Sequence, residues 1–326
     1  WMVTIRCNNM RLKTFSMNPF PQELHKYMNT HYPDGIYHTV YEAGFCGFWI
    51  HETLQKLGFQ NTVVHPNDVP TSDKEKKTKS DPIDSGKLAR ELEKRSLIPL
   101  YVPNKEMQAL RSLCRLYHTY TTSTTRIKNR IKGHLYFYGV ELSSESSYWS
   151  RHFIQWLENL SFTHQPAKDY LNICINKLLF IRDQKKNLLK QLRSYASTTD
   201  VVPLLLTVPG IGFKTAITLY CEIMDINRFT ERNNLISFAG FTPFTHSSGE
   251  KVYEYGLNVR RNKYLRHLII ESAWVAIRHD PALLHVFSKL SLRMKKQQAI
   301  IRVARKLLLR MAYVWRNKKT YKNKVA

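Results

Sequence analysis

A run of residues at alternating spacings of three and four constrains the fold of this chain more than any other feature. The run comprises Leu171, Cys174, Leu178, Ile181, Lys185, Leu188, Leu192 and Tyr195. Only Lys185 is strongly polar, and the spacing is typical of a coiled-coil seam. An ordinary amphipathic helix that packs into a core has a similar spacing. Both interpretations predict a long helix in the middle of the chain.

The patterns on either side of this helix differ. Residues 1–100 alternate short β-branched or aromatic runs with helical segments, which is typical of an α/β layer. We predict a hairpin of residues 2–7 and 11–15, strands at 35–41 and 60–65, and helices at 21–30, 45–57 and 82–94. After residue 104 the pattern is that of long helices, with later ones near 214–224, 259–279 and 299–315. The sequence therefore predicts an α/β domain (1–100), a helical coiled-coil linker (101–199) and a mainly α-helical domain (200–326).

Basic residues outnumber acidic ones by two to one. The 326 residues include 50 Lys and Arg against 25 Asp and Glu, which gives a formal charge of +25. Two long stretches, 107–140 and 281–326, contain no acid, and the second contains thirteen Lys and Arg. Either stretch alone could be a solvated helix face or a solubility tail. Together they favour nucleic acid as the partner.

Candidate nucleic-acid contacts fall in three places. The first stretch contributes Arg111, Arg115, Arg126, Lys128, Arg130 and Lys132, which lie among tyrosines. The segment 208–212, followed by a predicted helix, resembles a helix-hairpin-helix turn, in which Gly210, Gly212 and Lys214 would hold a phosphate. A plain interhelical turn is the alternative. The third place holds four cations within seven residues: Arg260, Arg261, Lys263 and Arg266.

Three carboxylates in the α/β domain are candidate metal ligands. Glu42 ends a predicted strand, where reactive groups of open α/β sheets gather. Asp81 and Asp84 lie within one turn of each other at a predicted helix start. Asp81 before Pro82 also has the pattern of a helix N-cap, so capping is the alternative. Hard carboxylate oxygens beside phosphates suit Mg²⁺, which we expect as the cofactor.

A candidate nucleophile precedes the third basic group. Residues 246–249 read His-Ser-Ser-Gly, and a serine in this loop could attack phosphorus while the following cations stabilise the developing charge. A turn without chemistry is the alternative.

Two further features concern the environment of the chain. The five cysteines are dispersed and include no Cys-x-x-Cys, so neither a disulfide framework nor a zinc knuckle is predicted. No apolar run approaches the roughly 18 to 20 residues that a membrane helix needs. The cysteine pattern suits a reducing cytoplasm, and the lack of a long apolar run argues against a membrane span.

Four segments, taken in order, resemble the DEDD-type transposases of insertion sequences, a family that includes the Piv DNA invertase and the bridge-RNA-guided recombinases. They are the segments 41–48 (Tyr-Glu-Ala-Gly-Phe-Cys-Gly-Phe), 79–90 (Lys-Ser-Asp-Pro-Ile-Asp-Ser-Gly-Lys-Leu-Ala-Arg), 209–212 (Pro-Gly-Ile-Gly) and 247–249 (Ser-Ser-Gly). The resemblance covers essentially the whole chain. It implies an α/β RNase H/RuvC-like domain that holds Mg²⁺ with four acids, a helical coiled-coil linker and a C-terminal transposase domain with a nucleophilic serine.

The resemblance also assigns roles. Glu42, Asp81 and Asp84 match the second, third and fourth acids. Ser248 matches the nucleophile, which forms a covalent link to DNA in the family, with Ser247 as the fallback. The implied partners are DNA at the element ends and target, a structured guide RNA, and further copies of the chain in a dimer or tetramer.

One departure from the family pattern concerns the first acid. It lies on the opening strand in the family, whereas the earliest acid here is Glu23, on a helix after the hairpin. Because the sequence opens at Trp1 without an initiator Met, we expect the missing Asp upstream. A decayed copy with three of the four ligands, impaired in catalysis, is the alternative. Rival functions are a Mg²⁺-dependent junction nuclease that uses water and a catalytically inactive nucleic-acid-binding remnant.

Overall fold

The structure is a computed structural model, and it describes residues 1–72, 80–142, 147–248, 251–258 and 260–322, with only the backbone for 245–248 and 251–255. The chain divides into two compact units, Trp1–Val102 and Pro103–Ala326. The first boundary of the sequence-based division lies close to this one. The three-domain division itself stays a prediction. In the described residues, no helix combines the length and apolar character that a membrane crossing requires.

The described residues of the first unit form two small sheets and three α-helices. Strands β1 (Met2–Cys7) and β2 (Met10–Ser16) pair antiparallel, and β3 (His38–Glu42) pairs parallel with β4 (Gln60–Val64). The helices are α1 (Pro21–His31), α2 (Trp49–Lys56) and α3 (Asp81–Glu93), and a short 3₁₀ helix covers Pro66–Asp68. The predicted elements are confirmed, although α2 begins later than the predicted residue 45, after turns in which Gly47 has a φ of +63°.

Helix α3 is tied to the β1–β2 hairpin by polar contacts at both of its ends. Thr4 Oγ1 lies 2.9 Å from Ser85 Oγ, and Arg6 Nε donates to Glu93 Oε2 over 2.7 Å. The backbone N–H of Asn9 donates to the other oxygen of Glu93, and the bonds from Arg6 and Asn9 lower the pKa of this carboxyl. Helix α3 packs against β3 as well as β1, so it runs beside the strand that ends in Glu42.

Two long helices dominate the first half of the second unit. Helix α4 (Lys105–Phe137) packs against α6 (Gln165–Ala196), with the short α5 (Arg151–Asn159) beside them. The two long helices run antiparallel, because His134 near the end of α4 contacts Ala167 near the start of α6, whereas Lys185 of α6 lies over Tyr117 of α4. The predicted long helix is confirmed. Its seam is buried except at Lys185, which is half-buried, and Tyr195, which is exposed while Ala196 is buried in its place.

In the second half, the part of the chain that the structure describes forms six α-helices and a hairpin. The helices are α7 (Val201–Leu206), α8 (Phe213–Ile223), α9 (Arg232–Phe238), α10 (Leu265–Ala276), α11 (Pro281–Ser291) and α12 (Lys296–Asn317). A 3₁₀ helix covers Ile226–Arg228 between α8 and α9. Leu110, Cys114 and Tyr117 of α4 and Leu188 and Leu192 of α6 join the core of these helices. A second hydrophobic cluster joins α5 to the other halves of α4 and α6.

The hairpin pairs β5 (Pro243–Ser248) antiparallel with β6 (Lys251–Leu257) in a segment where no strand was predicted. The predicted helix 259–279 was also wrong at its start, since α10 begins at Leu265. Side chains of Asn258 and Asn262 accept bonds from the backbone N–H groups of Arg260 and Tyr264. Such turns compete with helix formation, and they hold this segment as a loop.

Candidate functional site

Glu42 is the last residue of β3 and is half-buried. The parallel ladder continues one step past it, because the Ala43 N–H donates to the Val64 carbonyl over 2.8 Å. Glu42 therefore lies at the carboxyl end of a parallel pair, and its strand packs against the helix that carries the two other candidate acids.

Asp81 and Asp84 occupy the first turn of α3, but neither caps it. The N-cap residue is Ser80, and its side chain makes no capping bond among the described residues. The alternative in which Asp81 is the N-cap is therefore wrong. Asp81 is exposed and contacts no polar partner in the described part of the chain, whereas Asp84 accepts a bond of 3.0 Å from Lys87 Nζ.

The described carboxylates do not fit a metal site as they are placed. No three His, Cys, Asp or Glu side chains among the described residues form a group that could hold an ion. The ammonium of Lys87 is only 7% exposed and already occupies one oxygen of Asp84. Four lysines that precede the helix, Lys74, Lys76, Lys77 and Lys79, lie outside the described residues. Mg²⁺ therefore stays a prediction.

The two candidate serines are the last residues of β5. Ser247 pairs with Val252 and Ser248 pairs with Lys251, so Ser248 lies next to the connection of the hairpin. Gly249 and the side chains of both serines lie outside the described residues. At the other end of the hairpin, the Asn258 N–H donates to the Thr242 carbonyl over 3.0 Å, which closes its base.

The basic loop that follows β6 is anchored by a buried carboxylate on α8. Glu222 is 1% exposed and accepts a bond of 2.7 Å from Asn262 Nδ2. It also accepts two bonds from Arg115 of α4, at 2.7 and 2.8 Å. Hydrogen bonding to Glu222 raises the pKa of Arg115. Sequence reasoning missed Glu222. The available signal was a single acid within the otherwise uncharged and mostly apolar residues 215–224.

Three of the predicted nucleic-acid contacts are partly buried within the fold, and one of them, Arg115, belongs to this network. Arg115 is bonded to Glu222 and so connects α4 to α8. Arg111, on the same helix as Arg115, is half-buried. Burial lowers the pKa of Arg111, and the charge of Arg115 lowers it further. Arg266 donates to the Asn258 carbonyl and packs over Gly240, where an added Cβ would lie 2.7 Å from Arg266 Nη2. Exposed positions in the same loop are Arg260, Arg261 and Lys263.

The two glycines of the turn between α7 and α8 have different surroundings: Gly210 is closely packed, and Gly212 faces solvent. Gly210 has a φ of +82°, and a Cβ there would lie 2.4 Å from the Ser272 carbonyl of α10. Gly212 is the exposed N-cap residue of α8, with nothing near its Cβ position, and Lys214 is exposed in the first turn. The open helix end and Lys214 are therefore the parts of the turn that can reach a phosphate.

Cations and aromatic rings alternate on one face of the α4–α6 pair. Lys128 lies over Trp149, Lys132 over Tyr148 and Lys185 over Tyr117, with nitrogen-to-centroid distances of 4.9 to 5.2 Å. Burial lowers the pKa of Lys128, and Arg182 and Lys132 lower it further. We call this group the basic face and define it as Lys128, Lys132, Arg182, Lys185 and Lys214.

The basic face holds its positive charges close together. Burial also lowers the pKa of Lys185, with further contributions from Lys214 and Lys128. Half-buried cations that repel each other gain free energy when an anion approaches. Arg126 and Arg130 lie exposed on α4, the helix that also carries Lys128 and Lys132, and neither forms a hydrogen bond or ion pair in the described part of the chain. The arrangement suits a polyanion.

Two family models match the chain. One describes transposases of the IS116/IS110/IS902 family and matches residues 202–288; the other, a DEDD model of IS110-type transposases, matches residues 4–139. The first match spans the turn at Gly210 and the serine hairpin, and the second spans all three candidate acids.

Individual relatives agree with these matches. A Sinorhizobium fredii protein named as a transposase, y4rJ, is 30% identical over 301 residues, which cover 83% of this chain and 74% of that one. The transposase for insertion sequence element IS1111A of Coxiella burnetii is 26% identical over 242 residues, covering 74% and 66%. The pilin gene-inverting protein of Moraxella bovis is 34% identical over 108 residues, covering 32% and 34%.

Proposed function

The chain belongs to the IS116/IS110/IS902 family of insertion-sequence transposases, and we propose that it cleaves and rejoins DNA strands at the ends of such an element. The observation that carries DNA binding is the basic face, where three lysines lie over aromatic rings and Arg182 and Lys214 lie nearby. Burial lowers the pKa of Lys128 and Lys185, and the charges of neighbouring cations lower both further. The similarity to a pilin gene-inverting protein supports the proposal that this chain recombines DNA.

The proposed chemistry is a pair of transfers at phosphorus. The Ser248 hydroxyl gives up its proton as its oxygen forms a bond to a backbone phosphorus, and the bond from that phosphorus to a deoxyribose oxygen breaks. The leaving oxygen takes up a proton in place of the one that the serine lost, so the step is balanced. Attack by a deoxyribose hydroxyl of the second strand reverses these changes and releases the serine. No net hydrolysis occurs, because each phosphodiester bond that breaks is replaced by another.

Residues around the hairpin support this assignment. Arg261 and Lys263 follow β6 in an exposed loop that Asn262 anchors to Glu222. Cations near a reacting phosphate stabilise the charge that develops in transfer. Because the loop is already fixed, Arg261 and Lys263 lose little conformational entropy when the phosphate binds.

Other parts of the proposal come from the family resemblance. They are an RNase H/RuvC-like first unit, Mg²⁺ as a cofactor near Glu42, Asp81 and Asp84, a structured guide RNA, and a dimer or tetramer. A metal at Asp84 would require the ion pair with Lys87 to open. A three-domain organisation with residues 101–199 as the linker belongs to the same proposal.

The deciding experiment uses Ser248→Ala with DNA of the element end. Wild-type protein should form a covalent protein–DNA adduct that survives denaturing electrophoresis, and the variant should form at least a hundredfold less. Ser247→Ala is the matched control, and it should keep adduct formation. An adduct that persists in Ser248→Ala would disprove the serine assignment. Strand cleavage without any adduct would favour the rival junction nuclease.

A further inference from the structure

Helices α11 and α12 flank an open cleft of about 560 Å³. Five cations line it: Lys289 and Arg293 on one side and Arg302, Arg305 and Lys306 on the other. None of them belongs to the basic face or to the loop after β6. We call this feature the α11–α12 cleft.

The charges of the cleft are not neutralised within the described chain. None of the five cations forms a hydrogen bond or ion pair with a residue that the structure describes, and residues 281–326 contain no acid. Arg310, one turn further along α12, is different, because it is paired with Asp280. The cleft therefore concentrates positive charge that no part of its own helix hairpin offsets.

The cleft is held in shape by contacts that do not involve these cations. Asp280 is buried, caps α11 through the Leu283 N–H at 3.1 Å and accepts bonds from Arg310 and Tyr321. Burial raises the pKa of Tyr321 to about 12, and its bond to Asp280 contributes. On the opposite face of α12, Val303, Leu307 and Leu308 are buried in the core. Binding would therefore cost little reorganisation.

The arrangement of the cations fits a chain of phosphates better than a single anion. Arg302 and Lys306 are four apart on α12, so this pair spans roughly 6 Å along the helix. Lys289 lies in the last turn of α11, and Arg293 follows two residues after its end. Duplex DNA carries one negative charge per roughly 1.7 Å of axis. The described lining includes no Phe, Tyr or Trp, and its one aromatic ring is that of His285, whereas proteins that bind single strands stack successive bases on several rings. This lining favours contact with a duplex backbone.

We propose that the α11–α12 cleft binds the phosphate backbone of duplex DNA, at residues distinct from the serine hairpin and the basic face. The choice of DNA rests on the proposed function, whereas the anion-binding character rests on the cleft itself. Contacts of this kind position a duplex without reading its sequence. The cleft would hold DNA that the rest of the unit acts on.

The test compares two full-length variants with equal loss of charge. The cleft variant is Lys289→Gln, Arg293→Gln, Arg302→Gln and Lys306→Gln. The control variant, Lys177→Gln, Lys186→Gln, Lys190→Gln and Arg278→Gln, removes four exposed cations that do not line the cleft. Binding to a random-sequence DNA duplex of about 40 base pairs is measured by fluorescence anisotropy at about 50 to 200 mM KCl.

We expect the cleft variant to lower the slope of log K against log salt by about 3 to 4, and affinity at about 100 mM KCl by at least tenfold. The control variant should change the slope by less than about 1. Equal changes in both variants would overturn the proposal. Ser248→Ala should bind with the wild-type slope, so loss of the covalent adduct and loss of cleft binding can be told apart.

A second measurement needs no variant. Duplex DNA should protect Lys289 and Lys306 from acetylation by a succinimidyl ester, read by mass spectrometry, and should leave Lys186 and Lys190 reactive. Equal reactivity of Lys289 and Lys306 with and without DNA would overturn the proposal. Protection by duplex RNA of the same length, but not by DNA, would overturn the choice of DNA.

Discussion

Glu222 in the second unit and Asp84 in the first are both carboxylates beside a cation, but they differ in burial and in the number of donors. Glu222 is 1% exposed and accepts three bonds from Arg115 and Asn262. Asp84 has a side chain that is 29% exposed and accepts one bond from Lys87. Asp81, three residues earlier, is exposed and has no described partner.

This difference separates structural acids from acids that can take part in chemistry. A buried carboxylate whose oxygens are bonded by fixed donors has no capacity left for a ligand, and its removal leaves those donors without their partner. A partly exposed carboxylate keeps lone pairs free, and its loss costs little stability. Glu222 therefore holds α4, α8 and the loop after β6 together, whereas Asp81 and Asp84 are the better candidates for function.

The largest effect is expected for Glu222→Gln. The free energy of unfolding should fall by about 3 kcal/mol, the lower end for breaking a buried ion pair, because the side chain of Arg115 is 40% exposed and water can solvate it. Urea unfolding followed by circular dichroism measures the change. Glu271→Gln, an exposed carboxylate of the same unit, should cost less than about 0.5 kcal/mol. Similar losses in the two variants would contradict the structural role of Glu222.

A smaller effect on stability is expected for Asp84→Asn. Its single ion pair predicts a loss of less than about 1 kcal/mol, while adduct formation should fall by at least a hundredfold if the carboxylate acts in the reaction. Lys87→Gln breaks the same ion pair from the other side and should keep adduct formation. An equal loss of activity in both variants would show that the ion pair, and not the free carboxylate, matters.

The smallest effect is expected for Asp81→Asn. Stability should change by less than about 0.5 kcal/mol, because the side chain is exposed and makes no capping bond in the described chain. Adduct formation should still fall strongly. Ser80→Ala should leave stability equally unchanged, and a loss of about 1 kcal/mol in either variant would indicate a cap that the structure does not contain.

Local signals account for the elements that were predicted correctly. The hairpin of β1 and β2 turns at Asn8 and Asn9, which have φ values of 49° and 64°. Asparagine tolerates this left-handed region better than most residues, so two consecutive asparagines predict a turn at this place. The long helix α6 follows from its spacing of apolar residues, and the start of α3 follows from Pro82.

Other elements were missed because their signals were weak or misread. Strands β5 and β6 are joined by only two residues, Gly249 and Glu250, with Thr245 before them and Val252, Tyr253 and Tyr255 after. That combination is typical of a hairpin, but the neighbouring Ser-Ser-Gly favoured a loop. At Gly210, the sequence indicated a phosphate-binding turn, whereas the close approach of α10 depends on tertiary packing.

The sequence by itself determined the partner class, the long helix and the positions of the candidate acids, because charge and periodicity act between residues that are near in the chain. Tertiary structure decided which charged residues are free. Arg115 and Glu222 are 107 residues apart, and only folding brings them within 2.7 Å. Arg310 is likewise neutralised by Asp280, while Arg302 and Lys306 on the same helix stay open to the α11–α12 cleft. The burial of a side chain depends on segments that are distant in the sequence. The number of cations in the sequence therefore does not distinguish those that stabilise the fold from those that are available to bind a ligand.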